Sequence, residues 1–211
     1  MSYFCRMLCV MALLLTCGAD NTPRPQKILY IYGDSLTIGS MHFTRQKLAN
    51  QHIFHNFLMM PRGFNGGPSS RMFDVITAQP KPFTDLLVNT GLWDMNSSAD
   101  TLAAIRAYRQ NLTALFEWCA LENIHVWWRQ TTATLRSDGA QRGNDSIDIY
   151  NGMARELAAR YDNVTLIDIN PYLRLHPELY AQDGVHLANP AAYEVLADLI
   201  VAEMAIDFYR K

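Results

Sequence analysis

Short apolar runs recur along the chain at Ile28 to Tyr32, Ile53 to Met59, Leu86 to Val88, Ile124 to Trp128 and Val164 to Ile169. Each has strand length, and their lack of regular polar alternation predicts burial on both faces, as in a parallel sheet. Longer stretches of helical period lie between them, clearest at Thr101 to Leu121, Ile147 to Tyr161 and Ala191 to Phe208. Strands alternating with helices predict one open, doubly wound α/β sheet. The last helix carries Glu194, Asp198, Glu203 and Asp207, so it reads as amphipathic rather than transmembrane. The polar loop Thr134 to Asp145, with Gly139 and Gly143, has the length of a mobile lid. Ligands of such sheets bind beyond the carboxyl ends of the strands, so the chemistry is to be sought just after each apolar run.

The N-terminus does not fit this alternation. Arg6 precedes an apolar run from Met7 to Leu15, and Thr16, Cys17, Gly18 and Ala19 follow. A basic start, a short hydrophobic stretch and small residues predict a secretory signal over residues 1–19, with residues 20–211 as a single domain. The run falls short of the roughly 20 apolar residues that span a bilayer. An uncleaved anchor and a lipoprotein signal at Cys17 are the rivals, although Thr16 suits the latter poorly. Cys5, Cys9 and Cys17 all lie in this segment, leaving Cys119 alone in the mature chain without an internal disulfide partner. Four Asn-x-Ser/Thr triplets, at Asn96, Asn111, Asn144 and Asn163, are candidate glycan acceptors and favour a secreted eukaryotic glycoprotein.

Composition narrows the function classes. Of 211 residues, 49% are hydrophobic, enough to fill a core, and 18 basic against 20 acidic residues leave a net charge of -2. No broad positive field is available for nucleic acid or an anionic membrane. His52 and His55 lie three apart on an expected strand, where they face opposite sides, so they predict no metal site. No cofactor motif is present either. The glycine after the first run belongs to no G-x-G-x-x-G fingerprint, and no Gly-Lys-Ser/Thr follows.

Gly33-Asp34-Ser35-Leu36 follows the first run and opens a helix-like segment. A serine at a strand-to-helix turn presents its hydroxyl at the rim of the sheet, beside helix N-terminal N–H groups. Asp34 or Ser35 equally suits a plain helix cap. Near the C-terminus stands Asp183-Gly184-Val185-His186, just before the final helix. Imidazole is a fit base for a serine hydroxyl near neutral pH, and a carboxylate on its other nitrogen fixes its tautomer. Ser35, His186 and Asp183 therefore make a complete nucleophile, base and acid set.

Gly-Asp-Ser-Leu after the first strand and Asp-x-x-His before the last helix resemble the SGNH, or GDSL, hydrolase superfamily, from Ile28 to the final helix. That resemblance implies a three-layer α/β/α sandwich, flavodoxin-like, with a five-stranded parallel sheet. It also implies hydrolysis of carboxylic esters through an acyl-serine. The family's oxyanion glycine matches Gly66, with Gly67 second, so the N–H groups of Ser35 and Gly66 are the implied oxyanion donors. Where the family carries Gly-x-Asn-Asp, this chain has Gly91-Leu92-Trp93-Asp94, a tryptophan in place of the asparagine. Asn89 to Asp94 and Trp127 to Thr132 resemble, more loosely, blocks of the PC-esterase branch. Trp93, Asp94 and Arg129 are the candidate pocket residues, with a structural carboxylate as the alternative partner for Arg129. The implied substrate is a small-molecule ester or acylated glycan, with acetyl on a sugar as the favoured acyl group. Transfer to a sugar hydroxyl and an inactive glycan binder on the same fold are the rival readings.

Overall fold

The computed structural model describes residues 27–60, 63–79, 83–96, 101–136 and 142–210. The segment read as a signal and the middle of the loop Thr134 to Asp145 lie outside the described residues. Five strands form one parallel sheet: β1 (Ile28–Tyr32), β2 (Asn56–Met59), β3 (Asp85–Val88), β4 (His125–Arg129) and β5 (Val164–Ile167), in the order β2-β1-β3-β4-β5. Among the described residues six α-helices accompany them: α1 (Ser35–Asn50), α2 (Ser69–Thr77), α3 (Thr101–Leu121), α4 (Asn144–Ala158), α5 (Asn170–Leu175) and α6 (Pro190–Arg210).

The apolar runs have no polar alternation because both faces of the sheet are covered. Leu29 and Ile31 of β1 turn into one core with Leu36 and Leu48 of α1 and Leu196 and Ile200 of α6. Tyr30 and Tyr32 turn into the opposite core with Met72 of α2, Leu112 and Phe116 of α3 and Ala154 of α4. This is the expected three-layer architecture. Helices α1 and α6 press together on their face, and Gly39 permits it, since a Cβ there would stand 2.2 Å from the Tyr193 ring. The chain leaves β1 toward one face and β3 toward the other. The switch point of the sheet therefore falls at the carboxyl ends of β1 and β3, where a ligand of this topology is expected.

Some boundaries move. Strand β2 begins at Asn56 rather than Ile53, because His52 adopts a left-handed φ of 57° in the turn that precedes it. His52 and His55 accordingly sit in that turn rather than on a strand, with ring centroids 5.6 Å apart. No metal-binding cluster of His, Cys, Asp and Glu occurs among the described residues. Helix α2 is short and opens on Ser69, Ser70 and Arg71, and Met72, Val75 and Ile76 at helical spacing mark its apolar side, an element not singled out from the sequence. No described helix is long and apolar enough to cross a membrane.

Candidate active site

The turn from β1 into α1 is built by Asp34. Its carboxylate accepts the N–H groups of Leu36 at 3.1 Å and Thr37 at 3.2 Å, which caps α1 and sets Ser35 as the first helical residue. Asp34 is thus the cap that the sequence offered as the plainer reading, and Ser35 stands beside it with its hydroxyl free for other work. Beneath the turn, Arg129 at the carboxyl end of β4 is 1% exposed. Its guanidinium donates to Asp34 Oδ1 at 3.3 Å, Thr37 Oγ1 at 3.0 Å and Thr132 Oγ1 at 2.6 Å. Burial pushes the Arg129 pKa down and the Asp34 carboxylate opposes that shift. Arg129 is therefore a structural partner of the serine turn, not a wall of the pocket.

The loop before α6 brings the other two groups. His186 Nε2 lies 2.9 Å from Ser35 Oγ, and His186 Nδ1 lies 2.6 Å from Asp183 Oδ2. Asp183 Oδ1 also accepts the N–H groups of Val185 and His186, each at 2.9 Å, so the carboxylate is locked across the Gly184 turn. The His186 hydrogen bond, aided by those N–H groups and opposed by partial burial, holds the Asp183 pKa down at about 2. The Asp183 and His186 side chains remain 47% and 43% exposed, so the hydroxyl–imidazole–carboxylate chain is open to solvent. Such a chain can draw the proton from a serine hydroxyl as it attacks a carbonyl carbon and hold the resulting imidazolium.

Gly66 comes to the site in a different capacity from the one expected. Its N–H donates to Gly33 O at 3.0 Å, and Tyr32 Oη donates to its carbonyl at 2.8 Å. A donor already bonded to Gly33 is not free for an oxyanion, so Gly66 docks its loop against the serine turn. The Gly67 N–H is likewise taken, by Asn65 Oδ1 at 3.2 Å. The need for glycine at 66 is steric: a Cβ would meet Gly33 O at 2.5 Å and Gly33 C at 2.9 Å, both backbone atoms. We expect Gly66→Ala to force the loop off the turn. The cost should be about 1–3 kcal/mol, as for other overpacked sites, with ester turnover falling more than the melting temperature explains. Thermal melts and kinetics on one preparation check this.

The block Gly91 to Asp94 divides. Asp94 is buried and accepts the Ser69 N–H at 3.0 Å, the Ser69 hydroxyl and the Thr90 hydroxyl, so it holds the start of α2 rather than facing a ligand. Burial raises its pKa against those hydrogen bonds. Trp93 is 39% exposed, with the Arg142 guanidinium 5.3 Å from its ring centroid. Of the three pocket candidates, only Trp93 reaches the surface.

The candidate glycan acceptors are engaged in the fold. Asn111 Nδ2 donates to Ser69 Oγ at 2.9 Å, Asn144 Nδ2 to Thr134 O at 2.8 Å and Asn163 Nδ2 to Ile124 O at 3.0 Å. A glycan on any of these nitrogens would leave a single N–H to make the internal hydrogen bond. Asn96 ends a 3-10 turn, Asp94–Asn96, and its side chain lies outside the described residues. The described ends of the expected lid are fastened as well. Asn144 exchanges two hydrogen bonds with the Thr134 backbone, and the Leu135 N–H donates to Gly184 O at 2.8 Å. Sequence reasoning missed Asn151 and Asn170, which clamp the buried segment after β4 through Thr131 and Ala133. A single asparagine in a helix carries no local mark of such a role.

No protein-family model matches the chain, and no curated protein matches it. Solved structures do. A lipase/acylhydrolase from Enterococcus faecalis aligns with a TM-score of 0.67 at 17% identity, over 84% of this chain and 95% of its own. An acetyl xylan esterase aligns with a TM-score of 0.63 at 19% identity, over 83% and 98%. A GDSL-like lipase from Bacteroides thetaiotaomicron aligns with a TM-score of 0.59 at 17% identity, over 96% of each chain. At these identities the likeness establishes the fold, which is the three-layer fold expected from the Gly-Asp-Ser-Leu and Asp-x-x-His motifs.

Proposed function

We propose that the protein is a serine carboxylic-ester hydrolase in which Ser35 is the nucleophile, His186 the general base and Asp183 the acid that orients it. The observation that carries this reading is the chain of hydrogen bonds, 2.9 Å from Ser35 to His186 and 2.6 Å from His186 to Asp183, at the end of the sheet where β1 leads into α1. Ser35 Oγ attacks the ester carbonyl while His186 Nε2 accepts its proton. The tetrahedral adduct collapses as the imidazolium protonates the departing alkoxide, leaving an acyl-serine and a free alcohol. Water, deprotonated by the same imidazole, then hydrolyses the acyl-serine and restores the hydroxyl. The N-terminal peptides of α1 lie at the carbonyl oxygen in this scheme, with the Ser35 N–H as the first oxyanion donor.

A small acyl group such as acetyl, on a glycan or lipid alcohol, is the proposed substrate. The acetyl xylan esterase among the structural neighbours supports that choice of acyl group. The test is turnover of 4-nitrophenyl esters of increasing acyl length, with acetyl expected to be preferred. Product analysis with an added sugar acceptor separates hydrolysis from transfer. Secretion, with cleavage ahead of Asp20, is proposed on the N-terminal pattern alone, and N-terminal sequencing of exported protein checks it.

A pH dependence follows from the Asp183 shift. A carboxyl held at about 2 stays ionised throughout the working range, so Asp183 itself supplies no acid limb there. We expect log kcat/KM to fall with unit slope on the acid side, reporting one proton. Any stability that Asp183 contributes is present above the ordinary aspartate value of about 3.9 and is lost as pH falls through about 2. Acid inactivation above pH 4 with the fold intact therefore does not come from Asp183. Circular dichroism across the same pH series separates the two.

A further inference from the structure

Arg142 is placed where fold stability alone gives it little reason to be. Its backbone stands at φ 64°, in the left-handed region that favours glycine. It directly precedes Gly143, the N-cap of α4, so its charge adds to the positive end of the helix dipole instead of offsetting it. No carboxylate forms an ion pair with it among the described residues. Its Nε donates to Leu92 O at 2.9 Å and its guanidinium lies over the Trp93 ring. The remaining four N–H donors, on the two η nitrogens, have no acceptor among the described residues.

The surroundings fix where that charge stands. The Thr134 hydroxyl donates to Arg142 O at 2.7 Å, and the Thr134–Asn144 pair closes the segment behind it. Leu135, one residue beyond Thr134, is bonded to Gly184, between Asp183 and His186. Leu92 and Trp93 belong to the loop that follows β3, at the carboxyl end of the sheet. The Arg142 backbone is thus tied through Thr134 and Leu135 to the loop bearing the acid and base, while its guanidinium rests on the loop that follows β3. It is half-buried, close enough to Asp34 to feel that carboxylate and to Arg136 to feel a second positive charge.

We propose that Arg142, seated on Trp93, is a specificity-determining residue that binds an oxyanion on the substrate, a carboxylate, phosphate or sulfate, so that the preferred ester is an anionic one. The inference rests on the esterase reading above and narrows its substrate class. A planar guanidinium with its η edge free matches a two-oxygen acceptor, and the indole beneath it keeps the fork from swinging away.

The test compares 4-acetoxybenzoate with its neutral counterpart 4-acetoxybenzamide, which offer the same acetyl ester with and without a carboxylate. We expect Arg142→Gln to lower the ratio of kcat/KM for the anionic over the neutral ester by about tenfold or more, mainly through KM. Arg142→Lys should keep part of the preference, and added salt should move the wild-type ratio toward that of Arg142→Gln. Arg142→Gly, which suits the left-handed backbone, guards against misfolding and should lower the ratio equally. A ratio within about twofold of wild type in folded Arg142→Gln and Arg142→Gly protein would overturn the inference. Failure of the esterase reading would look different, as no turnover of either ester by wild type. Calorimetric binding of 4-acetoxybenzoate to Ser35→Ala protein, with and without Arg142→Gln, tests the oxyanion site independently of turnover. Equal binding by both would also overturn it.

Discussion

Ser35→Ala should abolish ester turnover while leaving the melting temperature within a degree or two of wild type. The hydroxyl is the only group removed. Its one described side-chain partner is His186 Nε2, and the α1 cap belongs to Asp34, so the helix start does not depend on it. Loss of a triad nucleophile in a serine hydrolase costs roughly a millionfold in kcat, leaving only the oxyanion site and binding. Asp183→Asn should retain the fold and fall by roughly ten-thousandfold, since an amide no longer stabilises the imidazolium. Steady-state kinetics beside thermal melts measure both. Ser35→Ala with wild-type turnover would remove the nucleophile from the account.

Arg129→Leu should be the most damaging change to the fold of the site. It strips the charge partner from Asp34, which is 2% exposed and whose Oδ2 has no hydrogen-bond partner among the described residues. Breaking a buried ion pair from one side costs about 3–5 kcal/mol, against a total stability of about 5–15 kcal/mol for a domain. In a chain of this length that is a melting-temperature loss of roughly 10 °C or more. Asp34→Asn in the same protein should recover much of the loss, because an asparagine still caps α1 but leaves no charge without a partner. A double-mutant cycle on melting temperature and ester turnover tests the coupling. Additive losses would mean that Arg129 and Asp34 act separately.

These two cases also mark what the sequence discloses. Ser35 and the Asp183–His186 pair are legible because each lies in a short motif beside an element end, and α/β topology brings those ends to one edge of the sheet. The Asp34–Arg129 pair joins residues 95 positions apart, so the sequence offers Arg129 a structural carboxylate as the commoner partner and substrate as the other, without naming the carboxylate. Gly66 was legible as a glycine that matters, but the fate of its N–H depends on the docking of a loop onto Gly33. The Asn-x-Ser/Thr triplets are visible as strings, while the bonds of Asn111, Asn144 and Asn163 that occupy their amides are contacts of the tertiary fold. Strands β1, β3 and β4 were read to within a residue or two because two-sided burial leaves an apolar run. Helix α2 carries its apolar spacing, Met72, Val75 and Ile76, over only nine residues.

The central claim, that Ser35 is activated by His186, is tested most directly by covalent labelling. Wild-type protein is treated with a serine-directed phosphonate and the modified peptide is identified by mass spectrometry, alongside His186→Ala. The account predicts a single adduct on Ser35 in wild type and a labelling rate lower by orders of magnitude in His186→Ala. An unlabelled Ser35 in folded wild-type protein, or equal labelling without His186, would contradict it.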